Sequence, residues 1–206
     1  MPVIGVLALQ GAFIEHIEKL KRLGIETREV RLPADLEGLD GLIIPGGEST
    51  TIGKLIDRFG LREPITRMAA EGTAIWGTCA GMILVAREVD QETRARSQPL
   101  LGLMDMTVRR NAFGSQLESF ETALDIPEMG GPPFPAVFIR APIISTIGPG
   151  VQVLARLPGG EIVAARQGNL IATAFHPELT TDDRLHAWFA SLGAGTSHGS
   201  TLSARG

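Results

Sequence analysis

Short apolar runs that end at glycine-containing turns, each followed by a segment of helical periodicity, constrain the fold of this chain most strongly. Such runs have the length of strands that are buried on both faces of a sheet. They are VIGVLAL (3–9), GLII (41–44) and TAIWGT (73–78). The helical patterns that follow them are FIEHIEKLKRL (13–23), STTIGKLIDRF (49–59) and AGMILVARE (80–88). Strands that alternate with helices in this way predict an α/β fold, a three-layer α/β/α sandwich with a mostly parallel central sheet.

The second half of the chain has a different pattern. After about residue 97 it consists of short strand-like runs with turn residues between them, and helices are scarce until TDDRLHAWFASLG (181–193). We therefore expect extra antiparallel strands beside the parallel part of the sheet. EMGGPPFP (128–135) has the composition of a loop, and the Gly/Ser/Thr-rich segment 193–206 that of a disordered tail. The prediction is a single domain over residues 1–192.

Composition excludes several classes of protein. The 206 residues carry a net charge of −4, with no basic stripe that would bind nucleic acid. One cysteine allows no internal disulfide and is typical of a reducing compartment. The apolar N-terminus lacks a basic segment and a cleavage site, and it reaches Gly11 before it could span a membrane. We expect a cytoplasmic protein without a membrane segment.

The single cysteine, Cys79, lies in the sequence GTCAG (77–81), between a predicted strand and a predicted helix. A nucleophile on such a turn needs small neighbours, because the chain reverses tightly and holds the central residue in a strained conformation. The following helix directs its N-terminus at the sulfur, which favours thiolate. The alternative is that Cys79 is a small buried hydrophobic residue, as most free cysteines are.

A thiol nucleophile requires a base and a group that orients the base. Among the four histidines, His176 closes the apolar run LIATAF and precedes Pro177 and Glu178. The end of a parallel strand is where α/β sites form, so His176 with Glu178 could face Cys79. The alternative is a structural histidine with a capping glutamate. The other three histidines (His16, His186 and His198) are expected at the surface or at its boundary.

PGGEST (45–50) also follows a predicted buried strand. Its adjacent glycines leave room for a backbone N–H that faces the site, and acyl transfer needs two such donors for the oxyanion. The N–H groups of Gly47 and Ala80 are the natural pair. A phosphate-binding loop is the competing interpretation, but the lysine and spacing of that motif are missing. Cysteine and histidine spacing indicates no metal site, and no cofactor is predicted.

PGGEST, GTCAG and FHPE in this order resemble the triad, or class I, glutamine amidotransferases. The match extends over roughly residues 3–190 and is closer to the glutaminase subunits of pyridoxal 5′-phosphate synthases. The motifs that carry it include IGVLALQGAFIEHI, RRNAFGSQLESFE, VFIRAP and AARQGNLIATAFHPELT. The resemblance implies a flavodoxin-like fold and hydrolysis of L-glutamine to glutamate and ammonia. It also implies transfer of ammonia to a β/α-barrel synthase subunit, which forms a dodecameric core decorated by glutaminase subunits.

The resemblance also implies roles for individual residues. Cys79 would form a γ-glutamyl thioester, with His176 as base and then acid and Glu178 as its orienting group. The residues implied in substrate binding are Gly47, Glu48, Ser49, Arg110, Ile139 and Arg140. Gln10 would lie near the oxyanion site, and we expect it to act with Gly46 in coupling activity to synthase docking. Two alternatives stay open at this point: another α/β hydrolase or peptidase with a cysteine elbow, and a non-catalytic scaffold relative.

Overall fold

A computed structural model of the chain describes residues 1–110, 112–113 and 119–196. The strands are β1 (Val3–Leu7), β2 (Glu26–Val30), β3 (Gly41–Ile44), β4 (Ala74–Thr78), β5 (Ala86–Val89), β6 (Met104–Arg109), β7 (Ser119–Leu124), β8 (Phe134–Ile139), β9 (Ile143–Ile147), β10 (Gln152–Arg156), β11 (Ile162–Gln167) and β12 (Leu170–Thr173). The helices are α1 (Phe13–Arg22), α2 (Ser49–Arg58), α3 (Arg62–Ala70), α4 (Ala80–Val85), α5 (Gln91–Ala95) and α6 (Arg184–Thr196). Short 3₁₀ turns lie at Pro33–Leu36 and Pro177–Leu179.

The described residues form a ten-stranded sheet in the order β2-β1-β3-β4-β12-β11-β9-β6-β5, with β10 paired to β11. The neighbours from β2 to β12 are parallel, whereas β11 pairs antiparallel with β12, β9 and β10. The hairpin β7–β8 forms a separate two-stranded sheet. The predicted α/β class, with a mostly parallel sheet and added antiparallel strands, is therefore confirmed.

The core is centred on β3 and β4, in which every residue is buried. Helix α6 packs on both strands and on α1, while α4 packs on both strands and on α2. Helices therefore cover the apolar runs that the sequence marks as strands, and the carboxyl ends of those strands are left open for loops. No helix within the described residues is long and apolar enough to cross a bilayer.

One helix is shorter than its sequence pattern predicts. The periodicity of AGMILVARE favours a helix through residue 88, but α4 ends at Val85 and the next four residues form β5, which pairs with β6. The carbonyls of Leu84 and Val85 accept hydrogen bonds from the N–H groups of Leu101 and Leu103. A segment outside the helix thus provides the hydrogen-bond donors for the last carbonyl groups of α4. The periodicity of the helix sequence does not indicate this interaction.

The C-terminal segment is only partly described. Helix α6 continues to Thr196, so the first residues of the expected tail are helical. Residues 197–206, including His198, lie outside the described residues. The prediction of a disordered tail over them stays a prediction.

Candidate active site

Four loops meet at the carboxyl edge of the parallel strands. They follow β1, β3, β4 and β12, which are consecutive neighbours in the sheet. Thr78 of β4 is in register with Thr173 of β12, and the Cys79 N–H donates to the Thr173 carbonyl at 2.8 Å. Because the two strands end level, the residues that follow them are brought together, although nearly a hundred residues separate them in the sequence.

Cys79 occupies the turn between β4 and α4, with φ 49° and ψ −102°. A positive φ is uncommon for a residue other than glycine and stores backbone strain. The flanking glycines have no room for a side chain. A Cβ on Gly77 would lie 2.4 Å from the Gly81 carbonyl oxygen, and one on Gly81 would lie 1.9 Å from the Ile44 carbonyl oxygen. The chain therefore has the tight turn with small neighbours that GTCAG predicts.

His176 and Glu178 lie beside this turn. The His176 Nδ1 is 2.7 Å from the Glu178 Oε1, and the two residues are 9% and 6% exposed. Burial by itself lowers the pKa of His176, but hydrogen bonds to Cys79 and Glu178 outweigh it and raise that pKa to about 10. Burial raises the pKa of Glu178, while its bond to His176 and the nearby His16 lower it overall. Nδ1 is held by the carboxylate, so the other ring nitrogen serves the sulfur.

The loop after β3 is packed against the loop after β1. The Gly46 carbonyl accepts a hydrogen bond from the Ala12 N–H at 3.0 Å, and the Glu48 N–H donates to the Gln10 Oε1 at 2.9 Å. A Cβ on Gly47 would lie 2.5 Å from the same Gln10 oxygen. Glycine is thus required at position 47 by a close approach, and Gln10 touches the loop in which sequence reasoning placed the oxyanion donor.

Glu48 connects this loop to the substrate side of the site. Its carboxylate caps α2 by accepting from the N–H groups of Thr50 and Thr51, and it lies 3.0 Å from the Arg110 guanidinium. Burial raises the pKa of Glu48, but the Thr51 hydroxyl, these N–H groups and Arg110 lower it to about 2. Ser49 is buried and donates to the Gln98 Oε1 at 2.7 Å. Sequence reasoning missed Gln98, because a single glutamine in a loop carries no pattern.

These residues enclose a cavity of about 410 Å³ beside the sulfur. Most of the predicted site residues line it, and these are Gln10, Gly47, Glu48, Ser49, Cys79, Ala80, Arg110, Ile139, Arg140 and His176. The Cys79 Sγ lies 4.0 Å from the Ile139 carbonyl oxygen, and Arg140 has a positive φ of 44°. Gly46 and Glu178 do not line the cavity. A Cβ on Gly46 would lie 2.8 Å from the His176 ring, and Glu178 lies behind that ring.

Two histidines are not where the sequence predicts them. His16 and His186 were expected at the surface or its boundary, and that prediction is wrong, because both are completely buried. Their rings are in contact, with the His16 Nδ1 2.8 Å from the His186 Nε2. The His16 Nε2 lies 3.4 Å from the Glu178 Oε2, so this pair adjoins the candidate site from behind.

The site is that of an α/β amidohydrolase that acts through a thiol. Its cysteine lies on a strained strand-to-helix turn, a buried glutamate holds its histidine, and the cavity lies at the edge of a parallel sheet. The particular family follows from comparison with known proteins. Residues 6–192 match the model of the SNO glutamine amidotransferase family, and the chain belongs to that family.

Relatives with curated names support this assignment. The chain is 63% identical over 189 residues to a protein of Herpetosiphon aurantiacus named pyridoxal 5′-phosphate synthase subunit PdxT, with 92% of this chain and 99% of that protein covered. A protein of Pelotomaculum thermopropionicum with the same name is 58% identical over 186 residues, covering 90% of this chain and 92% of that protein.

Solved structures agree on the fold. A crystal structure described as a glutamine amidotransferase superposes with a TM-score of 0.86 at 52% identity and covers 93% of this chain and 98% of that one. The structure of PurLQS from Thermotoga maritima reaches 0.60 at 16% identity, covering 95% of this chain and 96% of that one. The second likeness concerns the fold alone.

Proposed function

We propose that this chain is the glutaminase subunit of a pyridoxal 5′-phosphate synthase. It hydrolyses L-glutamine to L-glutamate and ammonia. The ammonia goes to a synthase subunit that makes pyridoxal 5′-phosphate from ribose 5-phosphate and glyceraldehyde 3-phosphate, a route of vitamin B6 biosynthesis. The observation that carries the proposal is the buried Cys79–His176–Glu178 arrangement at the cavity, in a chain whose relatives bear that subunit's name.

In the first half of the reaction, the Cys79 sulfur attacks the carboxamide carbon of glutamine. A protonated imidazole beside the sulfur stabilises thiolate, and the raised pKa of His176 keeps its proton in place at neutral pH. The carbonyl oxygen becomes an oxyanion, for which the N–H groups of Gly47 and Ala80 are the proposed donors. His176 then gives its proton to the departing nitrogen, which leaves as ammonia and a γ-glutamyl thioester remains.

In the second half, water replaces ammonia. The now neutral His176 removes a proton from a water molecule, the resulting oxygen attacks the thioester carbon, and the C–S bond breaks to give glutamate and thiolate. Glu178 does not react. Its carboxylate holds Nδ1–H at 2.7 Å, which fixes the ring and stabilises the imidazolium each time it forms.

The other cavity residues are the proposed substrate site. An arginine suits the α-carboxylate of glutamine because its planar fork can bind two oxygens, and Arg110 and Arg140 both line the cavity. Glu48 suits the α-ammonium group, since its lowered pKa keeps it charged. The Ile139 carbonyl and the residue Ser49 complete the wall near the sulfur.

Glutaminase activity without a consumer of ammonia would waste glutamine, so a coupling to the synthase is expected. We assign this coupling to the packed loops that contain Gln10 and Gly46. The Gln10 side chain contacts the proposed oxyanion loop, and the glycine at position 46 lowers the energy that a rotation of the peptide in that loop requires. The synthase partner is expected to be a β/α barrel in a dodecameric core, and the complex to be cytoplasmic.

The test is glutamate release from L-glutamine, with and without the synthase subunit, for the wild type and Cys79→Ala. Activity that needs Cys79 and rises with the synthase supports both the chemistry and the coupling. Equal rates with and without the synthase would refute the coupling, and no activity in either condition would refute the glutaminase.

A further inference from the structure

Behind Glu178, on the side away from His176, the protein interior contains two histidines that the reaction described above does not use. His16 of α1 and His186 of α6 are 170 positions apart in the sequence, and neither has any exposed surface. Burial is the main cause that lowers the pKa of each ring to about 3. Both are therefore neutral at physiological pH, and each has one N–H donor and one bare nitrogen.

The two rings and the glutamate are in a continuous line. The His186 Nε2 lies 2.8 Å from the His16 Nδ1, and the His16 Nε2 lies 3.4 Å from both the Glu178 Oε2 and the Thr78 hydroxyl oxygen. The Glu178 Oε1 continues the line to the His176 Nδ1 at 2.7 Å. Among the described residues, the buried Glu178 Oε2 accepts no hydrogen bond of good geometry, and the His16 Nε2 is the side-chain nitrogen that faces it.

Electrostatics decides which nitrogens carry the protons. A bare nitrogen of His16 facing the ionised Glu178 would place a lone pair against a negative charge, whereas an N–H there places a positive dipole against it. The His16 Nε2 is therefore the protonated one, and its Nδ1 accepts from the His186 Nε2–H. This leaves the His186 Nδ1 as a bare acceptor, which agrees with its being buried without a hydrogen-bond partner among the described residues.

We infer that His16 and His186 are positioning residues of the glutaminase, which extend the proposed triad into a chain of contacting polar groups from α6 to Cys79. The His16 Nε2–H lies 3.4 Å from the outer oxygen of Glu178, and its positive dipole helps to keep the carboxylate ionised and in place against His176. His186 acts through His16 by fixing its tautomer, because the proton on one ring nitrogen is set by the bond that the other makes. This inference rests on the proposed function.

Other charged groups face the same region. On α1, Lys19 pairs with Asp183 at 2.7 Å next to His186, and both affect the pKa of that ring. Glu178 also borders a second cavity, of about 310 Å³, whose charged lining residues are Glu15, Glu18 and Arg22. Among the described side chains, His176 and His16 are the ones that place a nitrogen at the Glu178 carboxylate. Removal of the His16 N–H should therefore change the pKa and the position of the Glu178 carboxylate more than those of the other charged groups.

The test compares three variants of the subunit in complex with its synthase. His16→Leu removes the donor, and His16→Gln keeps an amide N–H at a similar reach. Leu20→Ala opens a cavity one turn further along the same face of α1 but keeps the His16 ring and its N–H. For His16→Leu, kcat should fall by about ten- to a hundredfold, the scale seen when the outer hydrogen-bond partner of a metal-bound histidine is removed. KM should stay within about threefold, because the substrate site is unchanged.

The pH profile separates positioning from general damage. Without the His16 N–H the Glu178 carboxylate loses stabilisation, its pKa rises, and the acidic limb of kcat/KM moves to higher pH. In His16→Gln, kcat should be higher than in His16→Leu and the acidic limb should lie closer to its wild-type pH. Leu20→Ala should lower the melting temperature and leave the pH of the acidic limb unchanged. The inference would be overturned if His16→Leu kept the wild-type kcat and the wild-type acidic limb, or if Leu20→Ala moved the acidic limb as far as His16→Leu does.

A measurement without turnover distinguishes this failure from failure of the proposed function. In ¹⁵N-labelled protein, NMR of the imidazole nitrogens should show His16 protonated at Nε2 and bare at Nδ1, without titration between about pH 5 and 8. The opposite tautomer, or a ring that titrates in this range, would refute the arrangement even if the wild type released no glutamate.

Discussion

The strained conformation of Cys79 leads to a prediction about stability that is independent of turnover. Cys79→Ala keeps a Cβ at φ 49°, whereas Cys79→Gly removes it and adopts the same backbone conformation without steric conflict. The relieved strain is on the order of 1–3 kcal/mol. Glycine also lowers the free energy of unfolding by about 0.4–1 kcal/mol, because it makes the unfolded chain more flexible. Cys79→Gly should therefore be more stable than Cys79→Ala by about 1 kcal/mol.

Thermal unfolding of the two variants measures this difference. For a domain of this size, 1 kcal/mol corresponds to a melting temperature about 2–4 °C higher for the glycine variant. Ala86→Gly is the matched control, because Ala86 is also buried but has an ordinary φ of −64°. That substitution should lower the melting temperature. If glycine destabilises the protein at position 79 as it does at position 86, the turn stores no strain and does not hold the nucleophile in a strained conformation.

Four further predictions concern the charged groups of the site. Glu178→Gln should lower kcat by about a hundredfold or more at unchanged KM, because it weakens the support of the imidazolium. Because the pKa of His176 is raised to about 10, its protonation stabilises the folded protein fully below about pH 6.5, and this contribution to the free energy of unfolding is lost as the pH rises through about 10. In Glu178→Gln the pKa of His176 should be lower, so pH-dependent unfolding should show the loss at lower pH. Glu48→Gln should lower stability by about 1 kcal/mol above pH 4.5 through the weaker cap of α2, with the difference from wild type shrinking as the pH falls toward 2; a constant difference would contradict the role of the charge. Arg110→Lys should raise KM for glutamine by about tenfold with kcat changed less, as measured by initial rates, because lysine cannot bind a carboxylate with two parallel bonds.

Much of the site was predictable because its parts are local in sequence. GTCAG contains both glycines that the turn of Cys79 requires, and the structure shows which backbone atoms their absent side chains would strike. HPE places the Glu178 carboxylate two residues beyond the ring that it holds. The contacts of Gly77 with Gly81 and of His176 with Glu178 join neighbours along the chain, so the sequence pattern indicates them, whereas the approach of Gly81 to the Ile44 carbonyl is visible in the fold alone.

The parts that were missed depend on distant partners. His16 and Lys19 are polar residues on the buried face of α1, while Ile14, which belongs to the apolar pattern, is 55% exposed. Their partners His186 and Asp183 lie on or just before the last helix. A signal was nevertheless present, since His16 is four residues from Leu20 and therefore on the same face of the helix.

Detection of the covalent intermediate would show whether Cys79 is the nucleophile. The glutaminase with its synthase would be incubated with L-glutamine, quenched in acid during turnover and digested for mass spectrometry. A γ-glutamyl thioester is expected on the peptide that contains Cys79, and it should be absent in Cys79→Ala. Glutamate formed at an undiminished rate by Cys79→Ala, or an adduct on another residue, would contradict this role of Cys79.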